Sequence, residues 1–84
     1  MAPVLTQIRH GYAAQWNDLA LYAESSDCGW MATVRDRRSN APLYTGQRLN
    51  AAAAKQAAVE FAAFSHQERY PERIERILTW KRYW

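Results

Sequence analysis

The chain holds few residues capable of soft-metal or nucleophilic chemistry. His10, His66 and Cys28 are the candidate soft ligands, and they lie far apart with no zinc-type spacing. Cys28 sits beside Gly29 with no neighbouring cation to hold a thiolate, so it reads as a small apolar residue rather than a nucleophile. Asp18, Glu24 and Asp27 offer carboxylates, but no basic residue lies between them to tune a proton transfer, and solvated carboxylates are the simpler reading. Glycines at 11, 29 and 46 are too scattered to form a phosphate loop. The sequence therefore predicts a non-enzymatic protein with no catalytic residues, no metal site and no cofactor.

What remains is basic and aromatic residues interleaved. Arg35, Arg37 and Arg38 form one cluster; Arg48 and Lys55 follow; Arg69, Arg73, Arg76, Lys81 and Arg82 crowd the C-terminal stretch, diluted by Glu68, Glu72 and Glu75. The net charge is +3 and the pI about 9.4, a mild excess compared with dedicated DNA binders. A charge run is most often a solvated surface, which is the competing reading for each cluster.

Composition narrows the class. An 84-residue chain is one domain with a thin core. Its apolar share of 49%, with 4 Trp and 5 Tyr, argues against disorder. The lone Cys28 allows no internal disulfide and fits a reducing compartment. No apolar run approaches the roughly 20 residues of a membrane span. The first residues lack the basic-then-apolar order of a signal peptide, so no membrane association and a cytoplasmic location are the expectations.

The elements that must position these residues follow from periodicity. Residues 1–12 read as a short helix on Val4, Leu5 and Ile8 or as an arm, bracketed by Pro3 and Gly11. Leu19 to Glu24 and Trp30 to Arg35 alternate as half-buried strands. Ser25 to Gly29 reads as the hairpin connection between them, and Asp36 to Pro42 as a second polar connection. Leu43 to Thr45 begins a third strand that Gly46 ends or bulges. Asn50 is a preferred N-cap for an alanine-rich helix to about residue 69, with Ala54, Ala57, Ala58, Phe61 and Phe64 as its buried stripe. Pro71 ends that helix or kinks it near Tyr70 and suits the first turn of another, over 72–83, with Ile74, Ile77, Leu78 and Trp80 or Lys81 at helical spacing. The predicted fold is α+β: a three-stranded antiparallel sheet packed against one main helix, with a short C-terminal helix, residues 13–84 forming the domain. Tyr22, Met31, Thr33, Arg35 and Tyr44 are expected on the face away from the helix. The plainer alternatives are an ordinary Tyr22–Tyr44 cross-strand pair, or a face covered by residues 1–12 or by the C-terminal helix.

The helix Asn50-Ala51-Ala52-Ala53-Ala54-Lys55-Gln56-Ala57-Ala58, following three strands, resembles the second helix of double-stranded RNA-binding domains. The resemblance covers roughly residues 19–66. It implies phosphate contacts from the helix start, yet Ala51 and Ala52 stand where that family carries lysines, and only Lys55 remains. Ser25 to Gly29 also lacks that family's His-bearing loop. The run Trp30-Met31-Ala32-Thr33-Val34-Arg35-Asp36 is similar to the second strand of AP2-type and phage-integrase arm-binding DNA-binding domains. That resemblance implies a sheet face docked into a major groove, with Arg35 and an aromatic such as Tyr44 in contact; the first strand lacks the expected arginines. Short motifs of this kind record packing more than function.

Two functions are therefore expected from different classes. One is a small RNA- or DNA-binding protein using Arg35, Arg37, Arg38, Tyr44, Arg48 and Lys55. The other is a protein-interaction module using Ile74, Ile77, Leu78, Trp80 and Trp84, because that stripe exceeds what a small core can bury.

Overall fold

The computed structural model describes residues 10–83. Its sheet opens with a hairpin. β1 (Gly11–Trp16) and β2 (Leu19–Ser26) are joined by Asn17 and Asp18, with Asn17 at φ 54°, a left-handed conformation that asparagine tolerates. β3 (Gly29–Asp36) follows through a tight turn at Asp27 and Cys28. Gly29 is required there: its φ is +130°, and a Cβ would lie 2.6 Å from the Arg48 carbonyl oxygen. β4 (Pro42–Arg48) returns along β3, with a register irregularity between Val34 and Arg35. Then come α1 (Ala51–Ser65), α2 (Pro71–Ile77) and β5 (Lys81–Arg82).

The α+β architecture expected from the sequence is present: an antiparallel sheet against a main helix, plus a short second helix. The sheet has five strands, in the order β4-β3-β2-β1-β5, rather than three. β1 extends the meander on one side, so Gly11 and Tyr12 belong to the sheet; residues 1–9 of the predicted arm or short helix lie outside the described residues. The predicted 72–83 helix stops at Ile77. Leu78 turns to extended dihedrals, and the chain re-enters the sheet beside β1, pairing Ala13 with Lys81 and Tyr12 with Arg82.

α1 starts where its cap dictates, the Asn50 side chain accepting a hydrogen bond from the Ala53 N–H at 2.8 Å. Its alanines let the backbone approach β2 and β3 closely, over Leu19, Leu21, Ala23, Ala32 and Val34. Ala54, Ala57 and Ala58 are buried as predicted, whereas Phe64 is 80% exposed. The buried arc instead swings to Val59, Ala62 and Ala63, because α2 packs Ile74 against the same core.

Candidate functional site

The helix-covered face of the sheet absorbs most of the aromatic residues. Trp16, Trp30, Tyr44, Phe61 and Trp80 all pack against the core. Tyr44, expected on the opposite face, pairs with Val34 and stacks on Phe61, ring centroids 5.1 Å apart. The pairing decides this, because a strand side chain shares the face of its cross-strand partner and Val34 points at the helix. The Tyr44 hydroxyl accepts a hydrogen bond from Arg48 Nη2 at 2.9 Å, so both residues are engaged on the helix side of the β4 edge.

Lys55 is likewise drawn inward. Its ammonium lies 3.7 Å from the Tyr12 ring centroid and 5.7 Å from that of Trp80, and Tyr12 stacks on Trp30. An ammonium above aromatic faces is held by their negative quadrupole. Lys55 therefore ties α1 to the β1–β5 edge.

The three clustered arginines sit at the opposite end of the sheet from Arg48, since β3 pairs Arg35 with Pro42 but Trp30 with Arg48. Arg35 donates from Nη1 to the Asn40 carbonyl at 3.0 Å, and Arg37 donates to the Asn17 carbonyl at 2.7 Å. Asp36 organises their loop by accepting from the N–H of Arg38 and of Ser39 and from the Ser39 hydroxyl. The Ser39 N–H, then its hydroxyl, with smaller help from the Arg38 N–H and charge, hold the Asp36 carboxyl below its ordinary value against a slight desolvation. The six predicted nucleic-acid residues thus do not form one site.

The predicted partner-binding stripe is also divided. Ile74 is 1% exposed and belongs to the core; Leu78 and Trp80 pack against it. Ile77 alone of the described members is strongly exposed, at 68%, and Trp84 lies outside the described residues.

One constellation carries side chains that sequence spacing does not connect. His66 Nε2 lies 2.8 Å from Asp18 Oδ1, and its Nδ1 is 2.9 Å from the Ser65 hydroxyl. The order resembles a proton relay, but Ser65 ends a helix, where carbonyl oxygens and the negative dipole pole repel a developing oxyanion. The Ser65 hydroxyl donates back to the Ala62 carbonyl. The arrangement fastens the end of α1 to the β1–β2 turn, with Trp16 edge-on to the imidazole.

The other face of the sheet carries neither helix; Gly11, Ala20 and Thr33 are buried on it, while Ala13, Tyr22, Met31 and Arg35 are half-buried and Gln15, Thr45, Gln47 and Lys81 exposed. The pairings align three cross-strand rows on it. Gly11, Glu24, Met31 and Gln47 form the first; Lys81, Ala13, Tyr22, Thr33 and Thr45 the second; Gln15, Ala20 and Arg35 the third. Tyr22, Met31, Thr33 and Arg35 are on this face as predicted. Tyr83 joins the first row: its N–H donates to the Gly11 carbonyl at 3.1 Å, and its ring lies across the space a Gly11 side chain would fill. The Tyr83 hydroxyl donates to Glu24, the one carboxylate carried by a strand on this face. The missed members, Lys81 and Tyr83, come from β5 and its flank, and their only sequence signal is the aromatic and basic character of the C-terminal run.

No protein-family model matches the chain, and no curated protein or solved structure matches it either. Among the described residues no helix is long and apolar enough to cross a membrane.

Proposed function

We propose that the protein binds nucleic acid through the open face of its sheet. The observation that carries this reading is the balance of charge and aromaticity there. Arg35 and Lys81 stand on the face with Tyr22 and Tyr83, while Glu24, the only carboxylate its strands carry there, already accepts a hydrogen bond from Tyr83. From the strands a polyanion meets two cations and aromatic rings against the single charge of Glu24, a net positive balance. Arg37 and Arg38 stand exposed in the adjoining loop and extend the positive rim. Cations neutralise phosphates and displace counterions, and exposed rings stack on bases of any identity.

Fluorescence anisotropy with labelled oligonucleotides at low salt tests this. Affinity falls steeply as salt rises, and the double substitution Arg35→Ala, Lys81→Ala lowers the slope by about 0.7–0.9 for each phosphate that is no longer neutralised. Absence of binding at low salt, or binding indifferent to that substitution, refutes the reading.

A further inference from the structure

The open face has a groove beside β5. Half-buried Ala13 forms most of its floor, with Ala20, 8% exposed, as its diagonal neighbour across β1 and β2. Tyr22 walls it on one side, and the returning chain, with Ile77, Thr79 and Lys81, walls it on the other; the whole encloses about 390 Å³. The floor is flat and apolar, one wall is a ring, and the rim carries an ammonium. Gln15 and Thr79 add an amide and a hydroxyl, and neither their side chains nor that of Lys81 is engaged by another described residue. No carboxylate lines the groove. That combination suits a planar heteroaromatic ring lying on the alanines, with hydrogen-bonding groups at its edge and a phosphate beside Lys81.

We infer that the nucleic acid on this face is single-stranded, with one base seated in the groove over Ala13 and Ala20. This rests on the reading of the face as a nucleic-acid surface and specifies its ligand. A duplex keeps its base faces stacked against each other, so a seat for a ring face is of use only to an unpaired base. Size points the same way. Five antiparallel strands span roughly 19 Å between the outer two at ~4.8 Å spacing, while the major groove is only ~12 Å wide. A three-stranded sheet fits such a groove; this one, with β1 and β5 added, is too broad to enter it face-on. The helix α1 lies on the far side of the sheet, so a duplex held by it would not touch this groove.

The experiment compares single-stranded RNA, single-stranded DNA and the matching duplexes of each, by anisotropy, for the native chain and for Ala13→Leu. Single strands bind at least about tenfold tighter than duplexes. Ala13→Leu fills the floor and costs single-strand affinity about tenfold, with duplex affinity and salt slope unchanged because the phosphate contacts remain. Circular dichroism and thermal melting report whether the variant folds. If it does not, Tyr22→Leu carries the test, losing affinity where Tyr22→Phe keeps it. Duplex binding as tight as single-strand binding, or single-strand affinity unmoved by these substitutions, overturns the inference and leaves the nucleic-acid reading standing. No binding of any strand at low salt overturns both. The RNA and DNA arms identify which single strand is preferred.

Discussion

Lys55 separates a structural lysine from a phosphate contact by measurement. Its ammonium sits over Tyr12 at 3.7 Å and near Trp80 at 5.7 Å, at a half-buried position. A cation on an aromatic face contributes about 0.5–1 kcal/mol when exposed and up to ~2 when desolvated. The near ring dominates and the far one adds a fraction, so truncation to alanine removes about 1–2 kcal/mol. Alanine's better helix propensity returns only a few tenths, about 0.3 kcal/mol. In a domain of this size ~1 kcal/mol moves the melting temperature by about 4–8 °C. Lys55→Ala therefore removes about 0.7–1.7 kcal/mol net and lowers it by roughly 3–14 °C, whereas Lys55→Arg, which keeps a cation over the rings, recovers most of that decrease. Hydrogen exchange localises the effect: the Tyr83 N–H, bonded to the Gly11 carbonyl, exchanges faster before the β2–β3 amides do, because Lys55 pins the edge where Tyr12 and Trp80 meet. The salt slope of nucleic-acid binding stays as it is in the native chain. An unchanged melting temperature together with a slope reduced by about 0.7–0.9 is the signature of a phosphate contact and refutes the structural role.

Two further outcomes follow from the same structure. Asp36 has its carboxyl pKa depressed below the ordinary 3.8, so the loop gains stability above the unfolded value and loses it as pH falls through the folded value, below about pH 4. Carboxyl carbon NMR should place the Asp36 midpoint below the ordinary one, and Ser39→Ala should raise it; a midpoint at or above 3.8 contradicts the hydrogen-bond account. Ile74→Ala should cost about 2–5 kcal/mol by urea unfolding, most of the stability of a domain this small. Ile77→Ala, at a position 68% exposed, should stay within about 0.5 kcal/mol, and equal losses for the two would show the burial assignment to be wrong.

The parts legible in the sequence are those with strong local contrast. Leu19, Leu21 and Ala23 against Ala20, Tyr22 and Glu24 give a period of two, and Trp30, Ala32 and Val34 repeat it, so β2 and β3 are readable. Asn50 and the alanines behind it announce α1. β1 is obscured because Ala13 and Ala14 are poor strand formers and Gly11 reads as a break, although Asn17-Asp18 between two alternating runs is itself a hairpin signal. Tyr44 falls on the wrong face in a sequence reading because strand parity after a loop depends on register, and one residue of slip reverses every side chain. Phe64 is misplaced when the helical stripe is aimed at the sheet alone, whereas α2 shares the burden of covering α1.

The site shows a deeper limit. Neighbours along a strand diverge in space, so Arg35 and Arg48, close in sequence, end at opposite ends of the β3–β4 hairpin. Distant segments converge instead. Lys81 and Tyr83 reach the open face only because the chain leaves α2 after Ile77 and returns beside β1, an event that the helical spacing of Ile74, Ile77 and Leu78 conceals. Part of what holds β5 there lies on the other face: Trp80 packs against the core, and the Lys55 ammonium lies over Tyr12 and within 5.7 Å of the Trp80 ring centroid. The groove over Ala13 and Ala20 thus has one wall secured by a lysine on the opposite side of the sheet. Removal of Lys55 should weaken single-strand binding by loosening that wall while leaving the salt slope as it is, and a Lys55→Ala, Ala13→Leu double substitution, both changes acting on the base seat, should then cost less than the sum of the two single effects.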